Sequence, residues 1–337
     1  MEYRPLGDSA LSVSAFGLGT MMFGAWGNPD PASCRLMVDI ALDGGITFFD
    51  TADIYDAGRA EEILGEALAG RRDGIVLATK VGKPMGDDPA QRGLGGRWIR
   101  QAVEGSLRRL RTDRIDLYQM HWPDRGTPLE ETLGALDRLV RAGKVLHVGT
   151  STFPAEQLVE AQWIAGRGFA RPVAEQPPYS ILARGVERAV LPTCLRYRMG
   201  ALAWAPLNGG WLTGKYAFGA PRASRGDREP AHFDHAGPMR DRKLDLVGRL
   251  QEIAAGAGLP LSALALGFTL THPAVAAVLI GPRTPEQLEQ LLKEADARLD
   301  DATLDLIDTV VPPGVDVNPA DAGWISPGLD VAQRRRR

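Results

Sequence analysis

Two short β-prone runs, Ile46 to Phe49 and Ile75 to Thr79, flank an amphipathic stretch from Arg59 to Ala69 with apolar residues at Ile63, Leu64, Ala67 and Leu68. Side chains share a face every second residue in a strand and every third or fourth in a helix, so this is the pattern of a strand, helix, strand unit. A helical crossover makes the two strands parallel. The first strand ends at Asp50 with Tyr55 five residues on, the second ends at Lys80, and a third run, Ile115 to Met120, ends at His121. Parallel α/β folds carry their chemistry at the carboxyl ends of strands. Four reactive side chains are therefore expected to converge from three neighbouring strand ends.

The same alternation runs through the rest of the chain. Strands are expected at Ala15 to Leu18, Val145 to Thr150, Val173 to Gln176, Ala201 to Trp204 and Ala276 to Ile280. Helices are expected near 31–42, 96–110, 129–141, 154–165, 185–197, 241–255, 262–271 and 285–295. Eight βα units with no linker between them point to one (β/α)8 barrel, a TIM barrel, spanning residues 1–337 as a single domain. A doubly wound sheet is the alternative; it would gather the polar residues at one switch point instead of spreading them over many strand ends. Residues 1–13, turning at Gly7-Asp8-Ser9, read as a β-hairpin capping one end of the barrel. The loop from Pro206 to about Arg240, rich in Gly, Pro and Arg, has the length of a functional lid. The segment 311–337 reads as an irregular tail ending in Arg334 to Arg337, a solvated charge run.

A net charge of −3 gives no reason to expect nucleic acid or an anionic membrane surface as a partner. Cys34 and Cys194 are the only cysteines and lie 160 positions apart, so neither a disulfide framework nor a metal site is indicated. No export signal or membrane span is read, and a cytoplasmic protein is expected. No heptad announces an oligomer interface, and oligomeric state stays open.

A lysine ammonium close to a phenol favours its ionised form and so eases its loss of a proton. Asp50 can pair with Lys80 and hold it, and His121 can donate a hydrogen bond to a carbonyl oxygen. The four residues together make a proton donor and an oxyanion-type site for a carbonyl compound. Thr284-Pro285-Glu286-Gln287 combines an N-cap residue, Pro at the first helical position and Glu/Gln behind it, so a helix starts there, and helix starts attract anions.

The chain resembles the aldo-keto reductases from Tyr3 to about Thr309. The resemblance is carried by YRPLGDSALSVSAFGLGTM, GGITFFDTADIYDAGRAEEILGEAL, LATKVG, DRIDLYQMHWPD, GKVLHVGTS, LAWAPLNGGWLTGKY and LIGPRTPEQLEQ. It implies NADPH-dependent reduction of an aldehyde or ketone by hydride transfer. Tyr55 would be the general acid, with Lys80 and Asp50 tuning it and His121 orienting the carbonyl. It also implies a cofactor site. Gly19, Thr20 and Met21 would lie near the ribose and nicotinamide, Ser151, Thr152 and Gln176 at the carboxamide, and Trp204 against the nicotinamide ring. Pro206, Leu207, Gly209, Leu212, Lys215 and Arg225 would wrap the pyrophosphate, Gln287 and Gln290 would reach the adenosine end, and Gly281 and Arg283 complete the cofactor set. Arg283 stands where the family places the 2′-phosphate of NADP, so NADPH is expected over NADH.

Two positions depart from the family pattern: Thr152 replaces a common Asn, and Leu291 replaces a common adenine-binding Asn. Met22, Trp26 and Trp122, with the loop around His232, Phe233 and His235, are candidates for the substrate wall of an apolar or ring-shaped carbonyl compound. Two alternatives remain open: an NADP(H)-binding regulatory module resembling potassium-channel beta subunits, which lack the catalytic His that His121 supplies here, and a sugar ketoreductase or dehydrogenase of the same family.

Overall fold

The computed structural model describes residues 1–217, 219, 224, 227 and 238–324. Arg225, His232, Phe233, His235 and the terminal arginines lie outside the described residues. Eight parallel strands close into a barrel in the order β10-β3-β4-β5-β6-β7-β8-β9. They are β3 (Phe16–Gly19), β4 (Phe48–Asp50), β5 (Val76–Val81), β6 (Ile115–Met120), β7 (Val145–Ser151), β8 (Pro172–Gln176), β9 (Gly200–Ala203) and β10 (Val275–Ile280). Helices cover the outside, as the (β/α)8 pattern requires. Each expected strand is present within two residues of its sequence-derived bounds at either end. Among the described residues no single helix is long and apolar enough to cross a membrane.

The barrel has an apolar floor. Phe48, Val76, Ala78, Leu117, Ala174, Leu202 and Ala277 form one buried cluster with Leu6 and Val13. The last two come from the amino-terminal hairpin, β1 (Tyr3–Pro5) paired antiparallel with β2 (Ser12–Ser14). The hairpin is therefore a plug: its two apolar side chains close the lumen at the amino-terminal ends of the strands. Arg4 Nη1 ties it to the wall through the carbonyls of Leu270 and Val275, at 2.9 Å each.

Two differences from the sequence reading have local causes. The helix expected over 185–197 is split into a 3-10 turn, Gly185–Arg188, and a short helix, Val190–Arg196, broken at Ala189. Pro192 is tolerated in the first turn of the second piece, but in one helix running from 185 it would fall in the interior and leave the carbonyl of Arg188 without its donor. The start of the long loop after β9 is ordered as a 3-10 stretch, Asn208–Thr213, that buries Trp211 and Leu212.

Leu6 is fully buried at the floor. Leu6→Ala is expected to destabilise the fold by about 2–5 kcal/mol, the usual cost of a leucine-sized cavity. A falling urea midpoint with the barrel's circular dichroism otherwise retained would report it.

Candidate active site

Two positions beyond the floor along the same strands, the inward-facing side chains become polar. Phe48 gives way to Asp50, Ala78 to Lys80, Leu117 to Gln119 and Ala174 to Gln176. The period of two that makes the floor apolar thus aims a second, hydrophilic layer into the mouth. Gly149 on β7 makes room for it, because a Cβ there would stand 3.2 Å from Gln119 Cγ.

Lys80 is 1% exposed and forms an ion pair with Asp50. Its Nζ also donates to Thr51 O at 2.8 Å and reaches Tyr55 Oη at 3.3 Å. Burial alone would lower the lysine's proton affinity, but the charge of Asp50 and the contact with Tyr55 outweigh it and hold the pKa above its usual value. Asp50 Oδ2 accepts from Gln119 Nε2 at 3.0 Å and from Gln176 Nε2 at 2.8 Å. Its carboxylate is thus hydrogen-bonded from both sides.

Tyr55 opens a 3-10 turn, Tyr55–Gly58, in which Asp56 and Ala57 take φ of 49° and 52°. That left-handed backbone costs free energy for residues with a Cβ and persists only where neighbours enforce it. Asp56 is tied down: its Oδ2 accepts from Ala25 N at 3.0 Å, and Gly24, at φ +101°, leaves the space the carboxylate occupies. The helix behind, Arg59–Ala67, is fixed to β5 by buried Glu61, which accepts from Thr79 Oγ1 and Arg109 Nε at 2.6 Å each. Thr79 is the neighbour of Lys80, so one carboxylate sets the helix that follows Tyr55 against the strand that carries Lys80.

His121 follows β6, and its ring meets the Tyr55 ring edge-on at 5.8 Å with planes at 87°. Burial first, then the charges of Lys80 and Lys83, hold its pKa well below the usual histidine value, so the imidazole is neutral. Its buried Nδ1 has no hydrogen-bond partner among the described residues.

The remaining sequence-derived positions surround this centre unevenly. Gly19 ends β3, and Thr20 donates its N–H to Asp50 O at 2.9 Å. Met21 is exposed whereas Met22 is buried. Ser151 Oγ donates to Gln176 O at 3.1 Å, and Thr152 N donates to the same carbonyl at 3.1 Å. Trp204 packs against the lumen cluster, so it roofs the barrel. Pro206 and Gly209 are buried, Leu207 partly so, and Lys215 is exposed. Leu212 sends its side chain into the core, leaving only its backbone to face a ligand. Gly281, Gln287 and Gln290 are exposed beside β10 and the helix Pro285–Lys293. There Thr284 caps Gln287 N at 3.4 Å, and Gln287 Oε1 accepts from Arg283 N at 2.8 Å. Leu291 is buried in the core, which explains an apolar residue at that position.

Several contributors were not singled out in the sequence. Gln119 could have been found, because it alternates with Leu117 and His121 on one strand. Glu175 could not: it faces away from the lumen, is fully buried, and its pKa is raised to about 8 by burial. Its Oε1 accepts from Phe153 N at 3.1 Å, bracing the turn through Thr152. Asp321 and Trp324 also lie at the mouth. Asp321 Oδ2 receives Lys243 Nζ at 2.8 Å and Asn208 Nδ2 at 3.1 Å, and Trp324 stacks at 6.3 Å on Trp122.

A barrel whose mouth holds a buried lysine-carboxylate pair, a tyrosine and a neutral histidine belongs to a class of carbonyl-handling enzymes. The pattern describing the aldo/keto reductase family matches residues 15–312, and the chain belongs to that family. It is 39% identical to an uncharacterized oxidoreductase, YrpG, of Bacillus subtilis strain 168, over 96% of this chain and 100% of the relative. It is 36% identical to the aldo-keto reductase YhdN of the same organism, over 86% of this chain and 88% of that one. A probable voltage-gated potassium channel subunit beta of Arabidopsis thaliana is 36% identical over 92% of this chain and 97% of its own length. The family and these relatives make the protein an oxidoreductase of the aldo/keto reductase type.

Thr152 has φ of 59°, a conformation that Asn adopts far more easily than a β-branched residue. Thr152→Asn is expected to raise stability by on the order of 1 kcal/mol, read as a higher thermal midpoint; a lower midpoint would mean that the threonine methyl, packed near Gly323, matters more.

Proposed function

We propose that the protein reduces an aldehyde or ketone to an alcohol with NADPH, with Tyr55 as the general acid. The observation that carries the reading is the contact of Lys80 Nζ with Tyr55 Oη at 3.3 Å while the same ammonium is paired with buried Asp50. NADPH, when bound, supplies the hydride for the carbonyl carbon. The chain's part is the proton. As the carbonyl oxygen gains negative charge, the Tyr55 hydroxyl gives up its proton to it, and the adjacent ammonium stabilises the phenolate left behind. Asp50 keeps Lys80 charged and stationary. The neutral imidazole of His121 has one N–H to offer the carbonyl oxygen, which orients the substrate against Tyr55.

The donor set around the mouth fits the cofactor. Gly209 and Gly210, at φ of 65° and 103°, turn the backbone sharply here, and Lys215 Nζ lies against Gly210, a cation suited to a pyrophosphate. Arg283 precedes a capped helix start, a favourable place for a further phosphate. Ser151, Thr152 and Gln176 present hydroxyl and amide groups beside the catalytic layer, and Trp204 offers a flat face at its roof.

Tyr55→Phe removes the acid and keeps the ring. It is expected to cut kcat for a panel of aldehydes and ketones by about 10²–10⁴-fold while NADPH still binds in a fluorescence titration; wild-type turnover in this variant would overturn the assignment. Arg283→Ala should lower the ratio of kcat/KM for NADPH over NADH roughly tenfold or more, the scale of a charge-assisted phosphate contact. An unchanged ratio would remove Arg283 from the site.

A further inference from the structure

A second set of charges stands beside the catalytic layer and takes no part in the proton transfer. Lys83 follows Lys80 by three residues, in the loop leaving β5, and its Nζ lies 5.0 Å from the centre of the Trp122 ring. Trp122 is the residue after His121. Its ring stacks at 6.3 Å, tilted by 54°, on Trp324, and the guanidinium of Arg125 lies 5.2 Å from the Trp324 ring. Two tryptophans are thus flanked by two cations at the edge of the mouth.

Among the described residues no carboxylate forms an ion pair with Lys83 or Arg125. The acid between Pro123 and Arg125 is spent on its own turn: Asp124 accepts from Leu94 N at 2.7 Å, Thr127 Oγ1 at 2.8 Å and Gly126 N at 2.8 Å. Lys83 is half-buried, and burial together with the charge of Lys80 depresses its pKa. A cation held near another cation without a counter-ion gains most from an arriving anion. The aromatic wall is built rather than loose. Trp324 follows the 3-10 turn Pro319–Ala322, which is clamped through Asp321 to buried Lys243 and to Asn208.

We infer that Lys83 and Arg125, on the wall formed by Trp122 and Trp324, are a subsite for an anionic group of the substrate, so that the preferred carbonyl compound is a planar aldehyde or ketone bearing a carboxylate. This rests on the carbonyl-reductase reading for the identity of the substrate, but not for the binding site itself. The two roles fall to different residues. Tyr55 and His121 address the carbonyl, and the two cations address the far end of the molecule. The indole faces of Trp122 and Trp324 suit the flat face of a ring, while the cations read its charge.

The test measures binding to the full-length protein by calorimetry, using 4-(hydroxymethyl)benzoate and its neutral methyl ester, and separately measures turnover of the matching aldehydes. The carboxylate should bind the wild type about tenfold or more tighter than the ester, as expected of a charge-assisted contact. Lys83→Met and the surface variant Arg125→Met should each shrink that preference while the ester affinity is unchanged. Equal affinity for the two compounds in the wild type overturns the subsite, as does a preference that survives in both variants. Carboxylate-selective binding in a protein that turns over no aldehyde would keep the subsite and overturn the reductase reading. Equal kcat/KM for charged and neutral aldehydes without selective binding would do the reverse.

Discussion

The interaction on which this structure turns is the ion pair of Lys80 and Asp50, buried in the mouth of the barrel. Removing two charges from water costs several kcal/mol per ion, and their mutual attraction offsets this only when every remaining donor and acceptor is satisfied. The site meets that condition. Lys80 spends its other donors on Thr51 O and Tyr55 Oη, and Asp50 receives two glutamine amides. The consequence is a lysine that is both charged and fixed, placed against the hydroxyl of Tyr55. Gln119 and Gln176 belong to this arrangement as much as the charged residues do, since without them a carboxylate oxygen would be buried unpaired.

Such a pair needs a dry, rigid surround, which the floor supplies. Leu6 and Val13 from the hairpin close the lumen beneath the polar layer, in contact with residues two positions upstream of the polar ones. The floor and the site are therefore successive layers of the same strands. A register slip of one residue in any strand would exchange its lumen side chain for an outward one, and the parallel pairings Asp50↔Ala78 and Lys80↔Gln119 fix the relative heights of the groups.

Above the polar layer the chain must turn sharply, and it does so in strained conformations. Asp56 and Ala57 follow Tyr55, Thr152 follows Ser151, and Ala205 follows Trp204, all at positive φ. Each bend redirects the backbone at the point where a strand end would otherwise carry the side chain away from the mouth. The bends near Tyr55 and Ser151 are held by carboxylates: Asp56, within its own bend, takes the N–H of Ala25, and Glu175 takes that of Phe153. Asn208, also at positive φ, is held by Lys243 and Asp321. Backbone strain of this kind persists at functional sites because the surroundings over-determine it.

The sequence by itself determined the barrel and its polar strand ends. Alternation at period two, helical spacing between strands and the turn at Gly7-Asp8-Ser9 are local patterns, and they were enough to locate every barrel strand and the capping hairpin. Asp50, Tyr55, Lys80 and His121 could be grouped because each stands at or just beyond a strand end, a position that periodicity exposes. Closure of the barrel decided the rest. Gln119 and Gln176 meet on Asp50 only because β6 and β8 curve around a common lumen. Trp324, from a stretch with no regular pattern, reaches Trp122 because Asp321 is clamped to Lys243 far away in the chain. Leu212 and Leu291, set in motif-like segments, turn inward to the core. A hydrophobic period reports which face of an element is buried; which buried or mouth-facing groups then touch depends on contacts between residues far apart in the chain, and these exist only once the fold has closed.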